Sequence, residues 1–191
     1  GEVLGIHHVT AFAGDPQSNL EFYSGFLGLR LVKKTVNFDD PYTYHFYYGD
    51  QVGHPGTILT FFPCVHGGVE GRAGTGQQAA TSFSIPDGAV DYWEERLTQN
   101  DIDFKGPFTR FDEEVLAFSG PDGLQLELVE SAADPCEPWE GAAIPGDRAV
   151  CGLHSVTFSL SKFEPTARLL TETLGFKETR QSDNRSRFET G

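Results

Sequence analysis

Gly5-Ile6-His7-His8-Val9-Thr10 returns as Gly152-Leu153-His154-Ser155-Val156-Thr157, an offset of 147 residues. In the same register Phe26-Leu27-Gly28-Leu29 meets Thr173-Leu174-Gly175-Phe176. Two matches in one ungapped register mark an internal duplication, and the organisation of the chain follows from it. The first copy opens with an alternating stretch, residues 6–13, which predicts a strand. Asp15-Pro16 then supplies an acidic cap and a first-turn proline. Leu20, Phe22, Tyr23, Phe26 and Leu27 recur at helical spacing, and Gly28 ends the helix. Strand-like runs follow at residues 29–36, 43–48 and 57–62, separated by Asp39-Asp40-Pro41 and by the Gly49 to Gly56 turn. The order is β-α-β-β-β.

A second copy, weaker in letters, lies between these two. It predicts a strand over 79–85, a helix over 87–100 and strands over 102–108, 114–118 and 124–129. Pro121-Asp122-Gly123 is the hairpin turn. The module is therefore about 73 residues, half the offset. Residues 1–66 form module one and 77–130 module two. Residues 131–149, with Pro135, Pro138, Pro145 and four acids, form a linker that Trp139 pins to a surface. Residues 150–191 give an incomplete third module of one strand, one helix and part of a second strand. The fold class is α+β: tandem βαβββ modules in curved mixed sheets, with helices on the convex side. Four such modules would need about 300 residues, so the chain reads as a truncated piece, in keeping with Gly1 and the absence of Met.

The chain has 191 residues with 14 Lys+Arg against 28 Asp+Glu, a net charge of −14; 38% of its residues are hydrophobic and 16 are Phe. That composition is globular. The acidity reads as a well-solvated surface or a salt-loving host, and it argues against nucleic acid, whose phosphates need cations. No apolar run approaches the length of a membrane span, and no secretory leader is visible. Cys64, Cys136 and Cys151 are widely spaced without a CxxC pair, so neither a disulfide framework nor a zinc site is expected. A reducing cytoplasm is the expected compartment.

Paired βαβββ modules with Ile-His-His-Val-Thr on the first strand resemble the glyoxalase/bleomycin-resistance/extradiol-dioxygenase superfamily, also called vicinal oxygen chelate. Further stretches are similar to its hydroquinone-type ring-cleaving dioxygenases. Among them are Asn37-Phe38-Asp39-Asp40, Tyr44-His45-Phe46-Tyr47-Tyr48-Gly49-Asp50, Pro55-Gly56-Thr57, Arg110-Phe111, and Pro121 through Glu127. The resemblance covers the whole chain.

Strand alternation puts Ile6, His8, Thr10 and Phe12 on one face and His7, Val9, Ala11 and Ala13 on the other. The small apolar set suits packing under the helix, leaving His8 on the open face, where a neutral imidazole can ligate a metal. The alternative for a lone strand histidine is a solvated side chain. The resemblance implies the metal ligand, joined by a His and a Glu from the last module. Thr10, on the same face, can hydrogen-bond substrate or oxygen. His7 turns away, so it is either a structural histidine or, as the resemblance implies, an outer residue relaying to solvent. Glu127 alternates with leucines on a core strand and needs a partner, metal or cation. In glyoxalase-like relatives that strand supplies a metal Glu, whereas in four-module ring cleavers Glu127 is a vestige paired with something else.

Ser155 stands at the His8 position in copy three and Ala80 or Thr81 in copy two, so neither copy supplies this imidazole. His154, His45, His54 and His66 read as structural, solvated or loop histidines. Gly71 to Gly76 lacks the Lys-Ser/Thr ending of a phosphate loop. The resemblance implies a mononuclear Fe(II) dioxygenase, with Zn, Ni or Mn as alternatives, and O₂ as co-substrate. The partner would be a small hydroquinone- or catechol-like aromatic rather than nucleic acid or membrane, and a homo-oligomer is open. Rival readings are a glyoxalase-like isomerase or lyase, which needs Glu127 as a ligand, and a metal-free bleomycin-resistance-type binding protein.

Overall fold

The computed structural model describes residues 3–64, 71–131 and 137–190. The first strand, β1 (His8–Ala13), leads into α1 (Pro16–Leu20). The Asp15 carboxylate starts that helix by accepting the Ser18 N–H at 2.7 Å. Over Glu21–Phe26 the helix widens to a π-type turn, in which the Leu27 N–H reaches Phe22 O at 2.9 Å and the Leu29 N–H reaches Tyr23 O at 3.0 Å. Gly28 ends it at φ +73°, where a Cβ would come within 2.6 Å of the Ile144 side chain. Then follow β2 (Arg30–Val36), β3 (Tyr44–Gly49) and β4 (Ile58–Pro63), in the sheet order β1-β4-β3-β2 with β1 parallel to β4.

The second module runs β5 (Gln77–Ile85), α2 (Val90–Gln99), β6 (Phe104–Arg110), β7 (Glu113–Ser119) and β8 (Gln125–Glu130). No side chain of its own first turn caps α2; the Glu130 carboxylate accepts the Val90 N–H at 2.9 Å instead. The hairpin turn forms as expected, and Asp122 Oδ1 accepts the Gly14 N–H at 2.8 Å, tying it to the first module.

The third copy contributes β9 (Gly152–Ser159), α3 (Glu164–Arg168, widening over Leu169–Thr173), β10 (Lys177–Ser182) and β11 (Arg185–Glu189). It repeats the first copy's irregularity at the same offset. The Leu174 N–H reaches Leu169 O at 3.1 Å, the Phe176 N–H reaches Leu170 O at 2.9 Å, and Gly175 has φ +78°. The duplication is thus visible in backbone hydrogen bonds as well as in letters. One expectation is corrected: instead of part of a second strand, this copy closes a full hairpin. Asp183 turns the chain in the left-handed region at φ +50°, a conformation that Asp tolerates.

β9 pairs antiparallel with β5, so the second sheet reads β6-β7-β8-β5-β9 and spans two copies. The core joins modules one and two. Tyr23 packs on Phe61 with ring centroids 4.4 Å apart, and Phe26 meets the fully buried Trp93 edge-on at 6.0 Å. Arg96 donates to the Phe26 and Gly25 carbonyls, closing the end of the widened helix. The proline-rich segment lends Ile144 and Ala149 to this core, Val150 at the start of the third copy adds to it, and Trp139 is half-buried. By contrast, no described residue from 152 to 190 is fully buried, and Phe158, Phe163 and Leu169 are exposed. Among the described residues no helix is long and apolar enough to cross a membrane.

Candidate active site

Register fixes what each face of the first sheet carries. Val9, Ala13, Phe46, Tyr48, Leu59 and Phe61 are buried towards the helix. On the other face His8 lies beside Ile58, Thr10 beside Thr60 and Phe12 beside Phe62. Tyr47 follows Thr60 on β3, and Lys33 follows Tyr47 on β2. This open face is aromatic with a few polar groups, the usual make-up of a small-molecule surface. β1 is its edge strand, so His8 and Thr10 line a free edge. His8 is exposed, and the Thr60 hydroxyl donates to Thr10 Oγ1 at 2.9 Å.

His7 does not turn away as alternation predicts. Its Nδ1 lies 3.1 Å from His8 Nδ1, and the two rings meet edge-on at 5.2 Å. The ladder begins at His8, so the ring of His7 is not held to the pleat. An imidazole such as that of His8, exposed and next to hydroxyls, fits one position of a metal's coordination sphere. Among the described residues no three His, Cys, Asp or Glu side chains group closely enough to complete one.

Glu127 lies on the second sheet, apart from His8, and is buried. Arg110 Nη1 donates to both its oxygens, at 3.0 and 2.8 Å, and the Ser82 hydroxyl donates to Oε2 at 2.7 Å. Burial alone would raise its pKa, but the hydrogen bonds from Arg110 and Ser82 outweigh it and hold the carboxyl below its usual range. The Arg110 guanidinium is thus a cation partner of this buried carboxylate.

The two faces correspond. β4 and β8 each begin two residues after a glycine of positive φ, Gly56 and Gly123. Two residues into each strand stand Thr60 and Glu127, abreast of Thr10 and Ser82. The Thr10–Thr60 pair is thus the counterpart of Ser82–Glu127. Of the two copy-two counterparts of His8 allowed by sequence, Thr81 is buried on the helix side, which leaves Ala80. Ser155 faces Ser82 across the β5–β9 ladder.

His45, set aside as structural in the sequence, sits on the open face of the first sheet. Its ring lies 4.1 Å from that of Tyr47 and 4.0 Å from that of Phe62. Its Nδ1 is 2.9 Å from the Tyr47 hydroxyl. Parity within Tyr44-His45-Phe46-Tyr47-Tyr48 carries the signal: Phe46 and Tyr48 point inward, so His45 and Tyr47 point out. The remaining histidines are elsewhere. His54 Nδ1 lies 2.6 Å from Asp50 Oδ2 in a loop that Asp50 also ties through three backbone N–H groups. His154 Nε2 lies 3.1 Å from Glu113 Oε1, a carboxylate shared with Arg187. His66 and Cys136 fall outside the described residues; Cys64 is exposed and Cys151 half-buried.

Comparison with known proteins gives consistent matches. The family model described as Glyoxalase/Bleomycin resistance protein/Dioxygenase superfamily matches residues 5–128. MhqE of Bacillus subtilis (strain 168), which carries the provisional name of ring-cleaving dioxygenase, is 45% identical over 179 residues, 94% of this chain and 58% of MhqE. Chlorohydroquinone/hydroquinone 1,2-dioxygenase of Sphingobium indicum is 33% identical over 192 residues, 99% of this chain and 60% of that protein. A crystal structure of a provisionally named dioxygenase from Bacillus subtilis superimposes with a TM-score of 0.94 at 41% identity, covering 99% of this chain and 60% of that one. The chain thus spans about 60% of the length of the relatives it matches.

Proposed function

This chain belongs to the glyoxalase/bleomycin resistance protein/dioxygenase superfamily, and we propose that it forms one wall of the active site of an Fe(II)-dependent ring-cleaving dioxygenase. The substrate is a hydroquinone- or catechol-like aromatic, and the compartment is the reducing cytoplasm. One observation carries this reading: an exposed imidazole, His8, heads an open sheet face that carries hydroxyls and aromatic rings. The relatives' names, ring-cleaving and hydroquinone dioxygenase, support the substrate class.

His8 offers a ring nitrogen to the metal, and His7 at 3.1 Å orients that ring. Iron held there by His8 would supply the redox chemistry by which O₂ is activated towards an electron-rich ring. Phe12, Phe62 and Tyr47 supply apolar ring surface against which an aromatic substrate can pack. The Thr10 hydroxyl accepts from Thr60 and keeps its own proton to donate, which suits it to a substrate oxygen as that oxygen gains negative charge.

The remaining ligands come from a further module. Where β5 pairs with β9, the Thr10 counterpart Ser82 faces the His8 counterpart Ser155. A first strand pairing likewise along the free edge of β1 would bring its own His8 counterpart opposite Thr10. Glu127 is a partner of Arg110 in this reading rather than a ligand, which counts against the isomerase alternative.

The test uses the full-length protein, reconstituted anaerobically with Fe(II) and then given O₂ and hydroquinone or catechol. Consumption of one O₂ per ring, with iron bound and lost in His8→Ala, is the expected result. No O₂ uptake with either substrate, or unchanged iron in His8→Ala, overturns the reading.

A further inference from the structure

A cavity of about 280 Å³ opens where the second copy meets the third. One wall is the end of β6 with the turn that follows it, residues 108–111, and the other is the β10–β11 turn, residues 182–185. Arg180 holds the two walls together, because its Nη1 donates to Phe111 O at 2.8 Å and to the Asp112 carboxylate. The turn it holds is itself unusual. Phe111 and Asp112 have φ of +52° and +67°, and a side chain as bulky as Phe is rarely found in that left-handed region. Such a conformation persists only where surrounding contacts impose it, and it brings Phe111 to the cavity.

The charged groups on these walls are unevenly paired. Arg110 uses only Nη1 on Glu127. Its Nε and Nη2 have no hydrogen-bond partner among the described residues, and neither is fully buried, so a ligand can reach them. Arg185 is exposed and, among the described residues, forms no hydrogen bond or ion pair. Asp183, the carboxylate among the lining residues, pairs with neither arginine. Burial first, and then Arg110, push the pKa of Arg185 below the ordinary arginine value, with Glu127 opposing them. A guanidinium does not lose its proton in a protein, so this conflict is relieved by an anion. Glu127 cannot serve, because Arg110 and Ser82 already hold its oxygens.

The walls also define the class of anion. Two planar forks match the geometry of a carboxylate, and two arginines against one aspartate leave a single positive charge to neutralise. Phe108, whose ring centre lies 5.2 Å from the Arg110 guanidinium carbon, and Phe111 add aromatic surface beside the charge. We propose that this cavity is a second binding site, separate from the His8 face, which takes a small aromatic monocarboxylate between Arg110 and Arg185. The site goes beyond the ring-cleaving reading and does not depend on it, since none of its residues belongs to the first sheet.

The experiment titrates the full-length protein with benzoate at fixed ionic strength and follows the heat of binding. Wild type should bind benzoate saturably. Acetate, which lacks the ring, and benzyl alcohol, which lacks the charge, should each bind at least about tenfold more weakly. Arg185→Gln should weaken benzoate at least about tenfold, the effect expected for a lost charge-assisted hydrogen bond. It should do so without lowering thermal stability, because the side chain it removes has no partner among the described residues. Arg185→Lys, which keeps the charge and loses the fork, should fall between the two. His8→Ala should leave the benzoate Kd unchanged. Four outcomes overturn the proposal. They are no saturable binding, an Arg185→Gln Kd equal to that of wild type, and loss of binding in His8→Ala, which would put the carboxylate at the His8 edge. The fourth is inorganic phosphate bound as tightly as benzoate, which would mark an unselective cluster of positive charge.

Discussion

The open faces of the two sheets carry the same device in two states. On the first, Thr10 and Thr60 share a hydrogen bond at 2.9 Å beside an exposed histidine. On the second, Ser82 and Glu127 share one at 2.7 Å, but the imidazole positions hold Ala80 and Ser155, and Arg110 closes on the carboxylate. On the first face His8 and Thr10 are exposed, whereas Thr60 is buried. On the second, Ser82 and Glu127 are buried and bonded to each other, and Arg110 donates to both carboxylate oxygens. The two copies thus keep one backbone plan while their open faces carry different side chains. The differences are the absence of a histidine at the His8 position and a guanidinium that neutralises the carboxylate.

The sharpest way to break this comparison is to remove the central group from each face. His8→Ala should abolish iron binding by the full-length protein, measured by metal analysis, with its thermal stability nearly unchanged because the side chain is exposed. Arg110→Ala should do the reverse. It leaves Glu127 buried without its cation and should cost about 3–5 kcal/mol in denaturant unfolding, with no loss of iron. If Arg110→Ala removes iron, or costs less than about 1 kcal/mol, the two faces do not divide the work as described.

Acid sharpens the contrast further. The pKa of Glu127 is lowered in the folded chain, so the Arg110 pair contributes stability above the ordinary glutamate value of 4.5 and loses it as pH falls through the lowered folded value. Stability measured on descending from neutral pH should therefore fall below pH 4.5 more steeply in wild type than in Glu127→Gln. Parallel curves would show that this pair does not govern the acid limb.

Much of the fold was legible because duplication gives the same information twice. The β-α-β-β-β order and the Asp15 cap follow from local chemistry, and the end at Gly28 recurs in the third copy at Gly175. What escaped was non-local. Nothing in the letters of residues 177–189 alternates cleanly enough to predict the β10–β11 hairpin, in which β10 is wholly exposed and β11 half-buried only at its centre. Strand alternation placed His8 and Thr10 correctly on the open face, yet misdirected His7, which precedes the ladder. The pairing of Glu127 with Arg110 spans two strands, and sequence could say only that a buried carboxylate needs some cation. His45 was missed because a histidine among four aromatic neighbours reads as filler until parity separates it from Phe46 and Tyr48.

The smallest expected difference between the faces concerns their hydroxyls. Ser82→Ala removes the donor to an ionised, buried carboxylate, and such charge-assisted bonds contribute about 1.5–3 kcal/mol. Thr10→Val removes a neutral hydroxyl that accepts from Thr60, at about 0.5–1.5 kcal/mol. Part of that is recovered, because the exposed edge of β1 lets water take the place of the lost oxygen. Measured by urea unfolding, the order should be Ser82→Ala more destabilising than Thr10→Val. Turnover should show the opposite order, since Thr10 faces the ligand surface and Ser82 does not. A stability loss in Thr10→Val equal to that in Ser82→Ala, without an effect on turnover, would mean that the first face is as structural as the second. Its hydroxyl pair would then be an inheritance from the ancestral module rather than part of the site.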